Sequence, residues 1–216
     1  MTEKMLAAIG ALYPLRELDC GAFAKQKVSG MNFSIRRFAA QGLGSVSVMR
    51  ANGFFGLMQM DTLIITPTER DLPLFSYDRV FAMGNDTLIF ELYDTLLGTC
   101  DLTALQQVKQ QFKSLPHHDM GEHWYDPIKL DVSLAKKGKK QHRDAFDRCA
   151  GQYLQAFLQA AQTTVCCESE AKREKAAVYV EGLLQNGGPS TDVFKKALGE
   201  AKTATLFRKI LFATEA

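Results

Sequence analysis

Two apolar runs, Leu74-Phe-Ser-Tyr-Asp-Arg-Val-Phe-Ala-Met83 and Thr87-Leu-Ile-Phe-Glu-Leu-Tyr93, are parted only by Gly84-Asn85-Asp86, and this arrangement constrains the fold more than any other part of the chain. Runs of that length rich in aromatic and branched residues suit strands, and the glycine-asparagine break suits a tight hairpin. Two adjacent antiparallel strands are therefore predicted. One carboxylate, Asp78, interrupts the first run and is expected mid-sheet rather than in a loop. On a sheet surface facing a pocket, desolvation raises a carboxyl pKa, so such a group can hold a proton near neutral pH and deliver it to a substrate. The competing role is structural, with Asp78 bonded to a backbone amide or to Arg79.

The flanking sequence extends this hairpin into a meander. Strand-like segments are predicted at 31–38, 43–50 (Val46 and Val48 alternating with Ser45 and Ser47), 54–65, 77–83 and 87–93. Short connections at Gln41-Gly42, Asn52-Gly53 and Gly84-Asn85 imply antiparallel neighbours. An amphipathic helix is predicted over 3–18 from Met5, Ile9, Leu12 and Leu15, and further helices over 102–113, 141–163, 168–186 and 190–210. Strands first and helices afterwards is an α+β order, here an antiparallel sheet covered by helices. The 216 residues, 46% of them hydrophobic, suffice for one core, and no linker or charge tract divides them, so a single domain over 1–216 is expected.

Composition narrows the function. A net charge of only +2 without aromatic interleaving argues against nucleic acid as partner. No leader pattern and no apolar run of membrane-span length is visible, which favours a cytoplasmic protein. Cys20, Cys100, Cys149, Cys166 and Cys167 lack zinc or cluster spacing and read as reduced thiols. His117, His118, Asp119 and His123 offer imidazole and carboxylate, but without helical ligand spacing they point to a structural or surface role, and no metal is expected. There is no Gly-x-Gly-x-x-Gly turn and no P-loop.

The segment Asp71-Leu72-Pro73-Leu74-Phe75-Ser76-Tyr77-Asp78 resembles the Asp-Leu-Pro-apolar-Phe/Leu-x-x-Asp signature of the ferredoxin-dependent bilin reductases. Val193-Phe-Lys-Lys-Ala-Leu-Gly-Glu-Ala201 and Arg208-Lys-Ile-Leu-Phe212, after a segment with Tyr179 and Gln185-Asn186, resemble that family's C-terminal helix. Between them Leu115-Pro116, Gly121-Glu122 and Trp124-Tyr125, then a long helix, keep the family's order, so the resemblance runs from about Gly44 onward. It implies a three-layer α/β/α sandwich that holds a linear tetrapyrrole such as biliverdin between the sheet and the C-terminal helices. It also implies electrons delivered singly by ferredoxin (or flavodoxin), a substrate radical, no cofactor of the protein's own, and Asp78 as proton donor.

The departures from the family pattern are informative. Family members that make phycocyanobilin carry a His on the preceding strand and a Glu on the one before; the nearest positions here are Asp61 or Thr62, and Met49 or Arg50. The double bond reduced is therefore left open. Asp61 is a candidate second proton donor if it faces the same way as Asp78, which alternation alone leaves ambiguous. Arg50 is a candidate partner for a substrate propionate, against a solvated strand-end role. The resemblance implies further substrate contacts at Thr62, Phe75, Val80 and Asn186, the last a neutral donor where some members have an acid. Trp124 and Tyr125 belong to the pocket or the core. Lys136, Lys137, Lys139 and Lys140 form either a solvated turn or a docking patch for acidic ferredoxin. Two rival functions remain: a non-catalytic tetrapyrrole-binding protein, and a reductase of another open-chain pigment, as in the related red chlorophyll catabolite reductases.

Overall fold

The computed structural model describes residues 1–215. Eight strands form one antiparallel sheet: β1 (Leu15–Leu18), β2 (Lys25–Val28), β3 (Met31–Ala40), β4 (Gly44–Gly53), β5 (Met58–Pro67), β6 (Leu74–Ala82), β7 (Asn85–Tyr93) and β8 (Leu134–Lys139). Strands β3 to β7 follow chain order as a meander, β1 and β2 share the outer edge of β3, and β8 closes the far edge beside β7. The expected hairpin is present: Ala82 pairs with Asn85, and Met83 and Gly84 take φ of 51° and 74°. A two-residue loop with both residues left-handed matches the twist of the strands it joins.

Helices cover both faces. On one side lie α1 (Thr2–Gly10), α2 (Thr103–Gln111) and α3 (Arg143–Thr163), burying Ile9, Leu105 and Phe157 against Val48, Leu63, Phe75 and Phe90. On the other lie α4 (Ser169–Asn186), α5 (Pro189–Leu198), α6 (Glu200–Thr205) and a wide π-helical turn over Leu206–Leu211, with Tyr179, Phe194 and Phe207 against Phe33, Met49 and Ile64. This is the expected three-layer α/β/α sandwich.

Several elements differ from expectation, among them β2, which the sequence pattern does not predict, and Phe54–Gly56, expected within a strand over 54–65 and found as a single 3₁₀ turn ahead of β5. The first helix ends at Gly10, because Pro14 disfavours helical backbone at the residue before it, and 15–18 becomes β1. The last helix is interrupted at Gly199, whose φ of 79° takes the chain out of α5. The lysine-rich segment forms edge strand β8, with Leu134, Lys136 and Gly138 turned inward and Lys137 and Lys139 outward. Lys136 is consequently buried, its ammonium donating to the carbonyls of Leu115 at 2.9 Å and Lys113 at 3.3 Å, which removes it from any docking patch.

Two contacts join the layers. In the Asp71-Leu72-Pro73 approach to β6, Asp71 accepts from the amides of Leu97 and Gly98, both at 2.8 Å. The buried Lys172 of α4 bonds Leu72 O at 2.7 Å and lies 3.2 Å from Asp71, pinning α4 to the start of β6. Arg79, inside the apolar run, is buried and grips Asp86 through two nitrogens, one at 2.7 Å, with its guanidinium 5.2 Å from the ring centres of Phe81 and Phe146. Breaking a buried pair by removing one partner costs more than the pair contributes, because the survivor is left uncompensated. Asp86→Ala leaves Arg79 only one acid, the solvent-exposed Asp147 of α3, 3.3 Å from its Nη1, and is expected to lower unfolding stability by about 3 kcal/mol in urea titration, with Arg79→Met plus Asp86→Leu recovering most of that loss.

Candidate functional site

Asp78 stands at the middle of β6. Strand register lines up Ile35, Met49, Thr62, Asp78 and Ile89 across five neighbouring strands, on the face covered by the C-terminal helices. The Thr62 hydroxyl donates to Asp78 Oδ1, and Ser76 Oγ lies 3.5 Å from Oδ2. Burial pushes the Asp78 carboxyl up to about 6; the Thr62 hydrogen bond pulls against it and the negative charge of Glu91 adds to it. A carboxyl so placed holds its proton in part near neutrality and releases it readily.

Glu91 is the residue that sequence reasoning passed over. It pairs across the ladder with Ser76, one row from Asp78 and on the same face. Its Oε2 accepts from the Tyr93 hydroxyl at 2.7 Å, whereas its buried Oε1 has no hydrogen-bond partner and lies 3.8 Å from Lys129 Nζ. Tyr93 stacks on Tyr179 of α4 with ring centres 4.1 Å apart, and Tyr125 meets Tyr93 edge-on at 5.6 Å. Burial raises the phenols of Tyr93, Tyr125 and Tyr179, so they act as neutral hydroxyls. Alternation in Thr87-Leu-Ile-Phe-Glu-Leu-Tyr93 already placed Glu91 and Tyr93 on one face; what was missing was the register joining that face to Asp78's.

Register also settles the remaining candidates. Thr62 and Met49, not Asp61 and Arg50, stand beside Asp78. Asp61 and Arg50 face the other way and bind each other, Arg50 Nε to Asp61 Oδ1 at 3.1 Å, with the N-terminal amine 3.5 Å from Asp61 Oδ2. The facing of Asp61, ambiguous from alternation alone, is thus away from Asp78, which removes it as a second donor there, and Arg50, proposed for a substrate propionate, lies on that opposite face too. Phe75 is likewise corrected: it is fully buried against Phe157 in the opposite layer. Val80 lies on the Asp78 face, two residues along β6, and Asn186 is exposed at the end of α4. Arg37 shares the face of Asp78, in one row with Ser47, Ile64, Ser76 and Glu91; its Nη1 donates to Lys209 O, while its Nε is buried without a hydrogen bond.

Trp124 and Tyr125 roof this side. Trp124 Nε1 donates to Gly187 O at 3.0 Å, and its ring occupies the space over Gly182 of α4, where an added Cβ would stand 2.2 Å from it. His123 stacks on Tyr125 at 4.8 Å, while His117 bridges to β8. Among the described residues, no group of three or more His, Cys, Asp or Glu side chains is placed to hold a metal, and no helix is long and apolar enough to cross a membrane. A groove of about 880 Å³ lies on the other face of the sheet, where Arg36, Arg50 and Asp61 meet Lys25 and Lys27 beside Glu3 of α1.

No protein-family model matches the sequence, and no curated protein matches it significantly. Among solved structures the chain is similar to phytochromobilin synthase from tomato in complex with biliverdin. The TM-score is 0.81, over 99% of this chain and 82% of that one, at 14% identity. At that identity the likeness establishes a shared fold.

Because Asp78 is raised in the folded chain, its neutral form favours the fold. That contribution is complete below the ordinary carboxylate range and is lost as pH rises through about 6. Asp78→Asn is expected to match the wild type at low pH and to be more stable by about 2 kcal/mol in alkaline buffer, measured as urea midpoints across pH. In carboxyl NMR titration, Glu91→Gln is expected to lower the Asp78 midpoint and Thr62→Val to raise it.

Proposed function

We propose that this chain reduces a linear tetrapyrrole of the biliverdin type, using electrons taken singly from reduced ferredoxin, with Asp78 as proton donor. The observation that carries the reading is Asp78 itself, a carboxyl raised to about 6 on the sheet face beneath the C-terminal helices, in a fold shared with a synthase that binds biliverdin. Reduction of one double bond consumes two electrons and two protons. In this reading Asp78 supplies a proton to the singly reduced pigment and takes one back from solvent, with the hydroxyls of Tyr93 and Tyr179 as the polar groups nearest that route. Glu91 Oε1, which has no hydrogen bond and only the longer contact to Lys129, is an acceptor suited to a pyrrole N–H, and Arg37 Nε, without a hydrogen bond while Nη1 donates to Lys209 O, a donor suited to a propionate. Val80 and Thr62 border the ring system. Entry of the pigment requires α4 to lift from Tyr93, on which Tyr179 stacks.

The reading calls for no metal or flavin belonging to the protein; the redox chemistry lies in the pigment and its donor. Exposed Lys137, Lys139 and Lys140 on and after β8 provide positive charge for an acidic donor. The rival reading, a protein that binds the pigment without reducing it, is favoured by one observation: the residues beside Asp78 on the two preceding strands are Thr62 and Met49, neither the His nor the Glu carried by family members that make phycocyanobilin.

An anaerobic mixture of protein and biliverdin, followed by absorption before and after addition of reduced ferredoxin, separates these. A bound spectrum converting to new bands supports the reductase, a bound spectrum that persists supports the binding protein, and no bound spectrum defeats both. Asp78→Asn is expected to retain binding and lower the conversion rate by about 100-fold or more, whereas Asp61→Asn, on the opposite face, is expected to stay within about twofold. An unchanged rate in Asp78→Asn would remove Asp78 from the mechanism.

A further inference from the structure

One end of the sheet is apolar at its centre and basic on both flanks. Reading along that end in strand order, the β2–β3 turn comes first, then the β4–β5 loop with Phe54, Phe55 and Leu57, then the β6–β7 turn with Met83, and last the end of β8. Because β5 pairs with β6, the two apolar tips stand about 10 Å apart. All four side chains face solvent: Phe54 is 52% exposed, Leu57 71%, Met83 89%, and Phe55 is fully exposed. Phe54, Phe55 and Met83 also have positive φ, between 51° and 58°, a backbone that side chains other than Asn, Asp and Gly seldom adopt. Three large apolar residues thus occupy left-handed positions where a polar residue would relieve both the backbone and the exposure.

The flanks carry the complementary signal. Lys25 and Lys27 of β2 are exposed on one side, and Lys137, Lys139 and Lys140 on the other. Among the described residues none of these five is paired with a carboxylate; Lys139 bonds only the neutral Asn85, at 2.7 Å. The nearest acid in the hairpin, Asp86, is buried against Arg79 and contributes no outward charge. Positive charge alone would suit any acidic macromolecule. Convex apolar tips projecting past the strand ends suit a phase into which they can be pushed, and apolar tips ringed by lysine match the interface of a bilayer with anionic headgroups.

We propose that this end of the sheet docks the protein on an anionic membrane surface, with Phe54, Phe55, Leu57 and Met83 entering the headgroup region and the flanking lysines binding lipid phosphates. The strands then stand end-on to the bilayer, and Asp78 lies five residues along β6 from Met83, about 16 Å behind the tip. The inference does not rest on the reductase reading.

The test is co-sedimentation of the full chain with phosphatidylcholine vesicles, with and without phosphatidylglycerol. The wild type is expected to sediment with the anionic vesicles, to do so less as salt is raised, and to remain in solution with phosphatidylcholine alone. Phe54→Asn with Phe55→Asn is expected to reduce partitioning by about tenfold or more at an unchanged thermal midpoint, since Asn accepts the left-handed backbone. Met83→Asn, at a separate turn, is expected to weaken it independently, so the proposal stays testable if the double variant fails to fold. Absence of wild-type binding to anionic vesicles overturns the proposal, as does binding that neither set of variants weakens. An effect of the variants only on self-association, or only on ferredoxin binding, overturns it as well.

Discussion

The buried Arg79–Asp86 pair fixes the β6–β7 hairpin, and through it the facing of everything on the sheet. The two residues sit diagonally across the ladder, on the α3 side, held by two nitrogen–oxygen contacts and flanked by aromatic rings. A register slip of one residue would carry a guanidinium into the opposite apolar layer without its carboxylate. With Arg79 committed to one face, its neighbour Asp78 is committed to the other. The ion pair and the candidate proton donor are therefore two consequences of one register, although they share no contact.

Asp78 remains in an apolar layer because its neighbours satisfy it without neutralising it. Thr62 and Ser76 offer hydroxyls, no cation lies within ion-pair distance among the described residues, and Glu91 adds negative charge. A structural aspartate in such a place would ordinarily be matched with an Arg or Lys, as Asp71 is with Lys172 and Asp86 with Arg79. The lone raised carboxyl contrasts with both.

Much of the fold was legible in the chain. The central strands from β3 to β7 announce themselves by apolar runs between glycine-containing breaks, and the α+β order follows from strands preceding helices. The edge strands were not legible: β1 and β2 are short, and β8 is lysine-rich, because an edge strand needs no apolar residue on its outer positions. The candidate site was half legible. Asp78 stands out as a charge in an apolar run, but Phe75, Asp61 and Arg50 were grouped with it although they face the other layer, and Glu91 and Arg37 were passed over although they share its face.

By itself the sequence determined which central segments form strands, the place of the tight turn to within a residue, and that one carboxylate is carried into an apolar strand, since composition and period-two patterning are properties of the local chain. Which side chains meet across the sheet was decided only by tertiary structure. Facing reverses at every residue, and absolute register depends on long-range packing, above all the Arg79–Asp86 pair on one side and the Lys172 anchor on the other. The tertiary structure alone also gathered Phe54, Phe55, Leu57 and Met83 between two groups of lysines, because residues from two separate turns and two edge strands become neighbours only when the strands behind them are paired.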